Sequence, residues 1–317
     1  MNGSPEWRNR AVRPWGAPRR PASLVVMRIP ASHADLLDRP LPAALTTHFG
    51  RGRLQSSVVW FWREGDDVCF TTMTEFVKAR NLRERPHATL LVWDADGRWL
   101  ELRCGVTEVV QTPAEALATC DDAGFRYCGV RPYFGAVVPA DWAEKEHPVT
   151  FRFTPEAASS GTLAHDEPAA PGRATAHDEP EPPAATARAT RAGLGDAAGP
   201  LPLDTAATAA ADHREVPLPA SHRALLEGPA VPLLATRDPA GHARVQPVAT
   251  SLVGHRPAVR PGDEQAEDLR RDPRATLLAV DPRDTARWIE VRADAAPAGD
   301  GWWRLVPRHV VVDAIHP

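Results

Sequence analysis

Lysine is nearly missing from this sequence: of 37 lysines and arginines, only Lys78 and Lys145 are lysine. Basic residues as a whole are not in excess, and a net charge of -4 supplies no surface for neutralising a nucleic-acid backbone, which excludes that class of partner. The four cysteines, Cys69, Cys104, Cys120 and Cys128, form no CxxC pair and no zinc-spaced cluster, so no metal is expected and they read as reduced thiols of a cytoplasmic protein. No apolar run approaches the ~20 residues of a membrane span. The N-terminal arginines precede no apolar stretch with a small-residue cleavage site, so no secretory signal is expected. Glycine-rich nucleotide loops, Ser-His-Asp arrangements and paired carboxylates are also lacking, which excludes a Rossmann enzyme and a hydrolase.

What is present is organised as two units, on the usual ~100–200 residues per domain. Residues 1–26 mix Arg, Pro and Gly without periodicity and are expected to be a disordered tail, with Met27 an alternative start. Residues 27–155 read as short strands: AALTTHF, LQSSVVWFW, VCFTTM, HATLLVWD, WLELRCGVTEVV and VTFRFTP, separated by Gly50-Arg51-Gly52, Gly65-Asp66-Asp67 and Asp96-Gly97 turns. SHADLLD, with Ser32 as cap, is predicted to be a short helix. A second helix is predicted over Glu75–Arg83, ending before Pro86. A third begins at Pro113 behind a Thr112 cap and runs to about Cys128. Antiparallel strands with few helices make a mainly β class and a small barrel. Residues 156–215, rich in Ala, Pro and Thr, are expected to be a disordered linker; their AHDEP repeats at 164–168 and 176–180 read as low-complexity drift rather than a cation site.

An internal repeat carries more information. Pro30-Ala31-Ser32-His33 recurs as Pro219-Ala220-Ser221-His222, Leu45-Thr46-Thr47 as Leu234-Ala235-Thr236, and Gln55 as Gln246. Ala88-Thr89-Leu90-Leu91 recurs as Ala275-Thr276-Leu277-Leu278, and Trp99-Leu100-Glu101-Leu102-Arg103 as Trp288-Ile289-Glu290-Val291-Arg292. Residues 216–317 are therefore a second, degenerate barrel. It places Gln265, Glu267 and Asp268 where the first copy has Lys78, Arg80 and Asn81. It has HRPAVRPGD in place of the VCFTTM strand, and its two prolines argue against a central strand there. It also lacks the Pro113 helix.

The segment FVKARNLRERPHATLLVWD, residues 76–94, sets Lys78, Arg80 and Asn81 at a helix start behind Thr71-Thr72. Amides, hydroxyls and cations converging there suit a phosphate. A solvated basic helix face fits the spacing equally well. Trp60 and Trp62 bracket Phe61 on alternating faces, one for the core and one free to stack on a ring. Tyr127, Tyr133 and Phe134 either line a substrate mouth or pack an interface, while His33, His48 and His87 stand as scattered single histidines.

The run LTT, QSSVVWF, VCFTT, VKARNLRERPHATLLV and WLELRCGVTEV resembles the split β-barrel flavoprotein superfamily of pyridoxamine 5′-phosphate oxidase. More narrowly, it is similar to its coenzyme F420 (deazaflavin)-dependent oxidoreductases, whose K-x-R-N-L-R-x-x-P segment stands here as Lys78 to Pro86, ending in Leu90-Leu91. The resemblance covers residues 30–155 well and 219–317 weakly. It implies two FMN-binding split β-barrels packed as an intramolecular pseudo-dimer with the cofactor, F420 or alternatively FMN, between them. Lys78 and Arg80 would then contact phosphate, helped by Thr71, Thr72 and Asn81, with Ser56, Ser57, Val58 and Trp60 flanking the ring. The basic residue that often precedes the lysine is replaced by Phe76 and Val77. The implied activity is hydride transfer between the cofactor and a small molecule, in one groove per chain. The readings from another class are a non-catalytic flavin or haem carrier or sensor, and a purely structural pseudo-dimer. Further homo-oligomerisation stays open.

Overall fold

The computed structural model describes residues 29–163, 188–192, 215–228 and 230–313. The expected N-terminal tail and most of the expected linker lie outside the described residues. The first unit holds β1 (Ala43–Phe49), β2 (Arg53–Val59), β3 (Trp62–Glu64), β4 (Asp67–Met73), α1 (Val77–Glu84), β5 (His87–Trp93), β6 (Arg98–Glu108), α2 (Pro113–Cys128) and β7 (Pro148–Thr162). A strand β8 (Arg188–Ala192) pairs antiparallel with β7. The second unit holds α3 (Ala220–Glu227), β9 (Val231–Arg237), β10 (Ala243–Pro247), β11 (Ala249–Val253), β12 (Arg256–Arg260), α4 (Asp263–Arg271), β13 (Arg274–Val280), β14 (Trp288–Gly299) and β15 (Trp302–Val312).

The two sheets have the same order, β2-β1-β5-β6-β7-β4-β3 and β10-β9-β13-β14-β15-β12-β11, so the duplication read from sequence is a duplication of topology. Side-chain alternation explains why β1 and β5 are apolar on both faces. Leu45, Leu90, Leu102, Phe70 and Phe151 point into a core enclosed by the first sheet alone. Ala44, Leu91, Trp93 and Trp99 point the other way, into a core completed by Leu233, Val245, Leu278 and Val280 of the second. Each barrel thus buries one sheet face internally and one against its mate.

Local signals carry α2: Thr112 and Glu115 form a reciprocal capping box, Pro113 opens the helix, and Gly129 closes it at φ 73°. Several expectations are corrected. SHADLLD is a single 3-10 turn, Ala34–Leu37, with His33 at its N-cap; Ser32 Oγ bonds His33 Nδ1 and caps nothing. The VTFRFTP strand continues beyond residue 155 to Thr162, carried by its long ladder with β6. RPAVR is a strand despite its proline: β12 meets β15 only at Ala258 and Val259, so Pro257 is asked for no N–H on that side. The equivalent of Gln55 is Arg244, not Gln246, since Thr47 pairs with Gln55 and Thr236 with Arg244.

Candidate functional site

The barrels meet through bonds that occur twice, once in each direction, as an isologous contact requires. Thr89 Oγ1 donates to Ala243 O at 2.7 Å, and its equivalent Thr276 Oγ1 donates to Leu54 O at 2.8 Å. Val245 N–H donates to Glu101 Oε1, and Ser56 N–H donates to Glu290 Oε1, both at 2.7 Å. Both glutamates are buried, and burial pushes both carboxyls above the ordinary range. Their second oxygens differ: Glu101 takes the Ser159 hydroxyl, whereas Glu290 takes Arg292 Nη2 at 2.7 Å. The internal repeat pairs these two glutamates but does not disclose their role, because each acts on a strand of the other barrel.

β2 is an edge strand whose outer side faces β13 and β14 of the second barrel. Since Ser56 N–H points outward to Glu290, the alternate residue Val58 directs its N–H to the same side. Glu290 lies near enough to α1 for its charge to act on Lys78. Lys78, in the first turn of α1, is half-buried with its ammonium 4.8 Å over the Phe76 ring. It has no hydrogen-bond or ion-pair partner among the described residues. Burial lowers its pKa to about 8, against the opposing pull of Glu290. No side chain caps α1, so the N–H groups of Val77 and Lys78 are left for solvent or a ligand.

The other candidates are placed unequally. Arg80 is exposed, and two residues along a helix from Lys78 it does not share that face. Asn81 is buried and spends both amide hydrogens on the scaffold, reaching Thr47 Oγ1 at 3.0 Å and Gln55 Oε1 at 2.9 Å. Thr71 Oγ1 donates to Val149 O, and Thr72 is buried beside it on β4. Ser56 Oγ pairs with Thr46 Oγ1 at 2.8 Å, Ser57 is buried opposite Leu45, and Val58 packs into the inter-barrel core. Trp60 stacks on Tyr127 at 5.1 Å and meets Tyr133 edge-on, so α2 covers one of its faces. Tyr127 itself is a packing residue, its hydroxyl taking Phe61 N–H at 3.0 Å and lying 2.9 Å from Leu41 O.

In the second barrel Gln265 replaces Lys78, is fully buried, and donates to Leu234 O at 2.7 Å. Asp268 replaces Asn81, with Thr236 Oγ1 donating to it at 3.0 Å and Arg244 Nε at 2.9 Å. The scaffold contact survives with its donors and acceptor exchanged. The four cysteines are free thiols; Cys69, Cys104 and Cys120 are buried, and burial drives Cys69 and Cys120 up to about 12. Among the described residues no group of His, Cys, Asp or Glu is arranged to hold a metal, and no helix is long and apolar enough to cross a membrane.

Residues 29–160 match the family model described as Pyridoxamine 5′-phosphate oxidase. The chain belongs to that family. It is a flavin-binding family, and the match runs through the first barrel to within two residues of the end of β7. Among solved structures, one described as F420 Reductase is 31% identical, with 41% of this chain and 98% of that chain covered and a TM-score of 0.36. A conserved hypothetical protein from Mycobacterium tuberculosis is 20% identical, covering 48% of this chain and 94% of that one, TM-score 0.35. The haem storage protein from Vibrio cholerae is 16% identical, covering 41% and 92%, TM-score 0.31. No curated protein matched the sequence.

Proposed function

We propose that this member of the pyridoxamine 5′-phosphate oxidase family binds coenzyme F420, or FMN as the second choice, in the groove beside Lys78, and passes a hydride between it and a small molecule. The observation that carries the reading is Lys78: a desolvated ammonium without an ion-pair partner among the described residues, at an uncapped helix start. Holding such a group costs stability, and a phosphate supplies the missing countercharge. The phosphate end fits best, with Lys78 as the cation and the Val77 and Lys78 amides as donors. At the ring end only the Val58 edge of β2 stands ready, since Ser56 N–H is held by Glu290 and Trp60 by Tyr127. Once bound, the cofactor supplies the ring that gives or takes the hydride. The chain's part is to hold the phosphate and to present the strand edge while the second barrel covers the groove.

Glu290 favours a second reading, a pseudo-dimer that binds no cofactor, because its carboxylate already occupies the strand edge. Titrating the purified protein with F420 and with FMN, read by ring fluorescence and absorbance, separates the two. Saturable binding at one cofactor per chain that is lost in Lys78→Ala supports the cofactor reading. Absence of binding, two sites per chain, or unchanged affinity in Lys78→Ala overturns it.

A further inference from the structure

The pseudo-symmetry creates two equivalent clefts at the barrel boundary, and their linings have diverged. One is lined by Arg53, Arg274, Arg292, Arg308 and His309, with Thr276 at its floor and the Asp294 carboxylate, paired with Arg308, on its wall. The other is lined by His242, His87, Arg103 and Glu156, with Thr89 at its floor. Strand register equates Arg53 with His242, Arg274 with His87 and Arg292 with Arg103. Arg308 and Glu156 both occupy the bulge between β7 and β6 or between β15 and β14, a position that aims a side chain out of the ladder. The fold therefore does not require arginine at these positions, because the same backbone accepts histidine and glutamate.

Arg237 joins the first cleft from behind, its Nη1 donating to Gly52 O at 3.3 Å, at the place where the other copy has His48. Arg237 and Arg274 crowd the turn so closely that a Cβ on Gly52, itself at φ +70°, would lie 3.2 Å from Arg274 Nη1 and nearer still to Arg237. Among the described residues, Asp272 serves Arg274 and Arg237, Asp294 serves Arg308 and Glu290 serves Arg292, and Arg274 and Arg308 make further contacts besides. The Arg53 side chain has no hydrogen bond or ion pair among the described residues. The Nε atoms of Arg292 and Arg237 are buried without a partner among the described residues, orphaned donors of the kind an anion satisfies.

We infer that the cleft between Arg53, Arg274, Arg292 and Arg308 is an oxyanion site, built to take one dianionic group of the chemistry shared by a phosphate monoester and a dicarboxylate. Arginine forks bind either class bidentately. The inference does not rest on the deazaflavin reading and uses none of the residues assigned to that cofactor's phosphate. Isothermal titration of the full chain with inorganic phosphate, and separately with malonate, tests it against sodium chloride at equal ionic strength. Saturable one-to-one binding is expected, weakened about tenfold or more in Arg53→Gln and less in Arg53→Lys, with Lys78→Ala unaffected. The tighter of the two ligands names the source. The Arg53 guanidinium has no partner among the described residues, so Arg53→Gln should unfold at the wild-type temperature without anion, and an anion-induced rise in Tm that is lost in the variant gives a second readout. Heats and Tm shifts that chloride reproduces, or binding lost in Lys78→Ala but kept in Arg53→Gln, overturn the assignment.

Discussion

Lys78 offers the sharpest test because its protonation and its ligand are linked. In the free protein its pKa is lowered to about 8 from 10.5, chiefly by burial. A phosphate that needs the ammonium binds at full strength below pH 8 and loses about tenfold per unit above it, until the pKa of the bound state is passed. The FMN phosphate is a monoester, already dianionic above its second ionisation near 6, and the F420 phosphate is a diester that stays singly charged, so between pH 7 and 10 the phosphate does not titrate and the slope belongs to the lysine. A charge-assisted hydrogen bond contributes about 1.5–3 kcal/mol, so Lys78→Met should weaken binding about 10- to 100-fold at pH 7. Lys78→Arg should flatten the pH profile, because a guanidinium stays charged throughout the range.

The same lowered pKa fixes the sign for folding. The charged form is disfavoured in the folded state, so a penalty is present below pH 8 and is relieved as pH rises from about 8 towards 10.5. Lys78→Met removes that penalty and should not lower the Tm of the free protein at pH 7. Loss of binding in this variant then reflects lost charge rather than unfolding. Fluorescence titrations with F420 at four pH values, with thermal unfolding of each variant, suffice. A flat wild-type profile between pH 7 and 10, or less than about twofold weakening in Lys78→Met, refutes the phosphate assignment.

The Asn81 contact can be converted into its equivalent in the second barrel. Asn81→Asp buries a carboxylate without a cation and should cost about 1–3 kcal/mol at neutral pH, while adding Gln55→Arg should recover at least about 1 kcal/mol in a double-mutant cycle by denaturant unfolding; simple additivity would contradict it. Glu101 has a folded-state pKa raised mainly by burial, so its ionisation costs stability as pH rises above about 4.5. The Tm advantage of Glu101→Gln over wild type should therefore grow between pH 4.5 and 8, and a shrinking difference would count against it. Gly161→Ala places a Cβ 2.7 Å from Trp99 Cζ2 in the inter-barrel core and should cost about 1–3 kcal/mol by chemical denaturation; a neutral effect would show that the two barrels are not packed as described.

Features set by neighbouring residues were readable from the sequence. Thr112, Pro113 and Glu115 specify a helix start within four positions, and α2 begins where they place it. ATLLVW reads as a strand because both its faces are apolar, although only the structure names the second face's partner, the Leu233, Val245 and Leu278 surface. Features set by register were not readable. Gln246 is the nearest identical residue to Gln55, yet strand pairing puts Arg244 in its place, since hydrogen-bond register overrides identity. Asn81 looked like a phosphate ligand because its bonding partners, Thr47 and Gln55, are 34 and 26 residues away. Glu290 went unseen for the same reason, its partner Ser56 being 234 residues distant.

The two copies therefore differ along a line that physical chemistry can draw. Bonds that hold barrel to barrel, the paired threonines and the paired glutamates, are kept in both directions, because losing either half would strand a buried donor or acceptor. The scaffold contact below α1 is also kept, by Asn81 with Gln55 in one barrel and by Asp268 with Arg244 in the other, so the chemistry changes where the contact does not. Lys78 is different. Its replacement Gln265 is buried and donates to the backbone, which is the self-sufficient solution, whereas Lys78 pays desolvation and gains no partner within the described chain. On the proposed reading, a residue costlier than its own duplicate's alternative is there for a ligand outside the fold, and the side of α1 that carries Lys78 is the place to look for it.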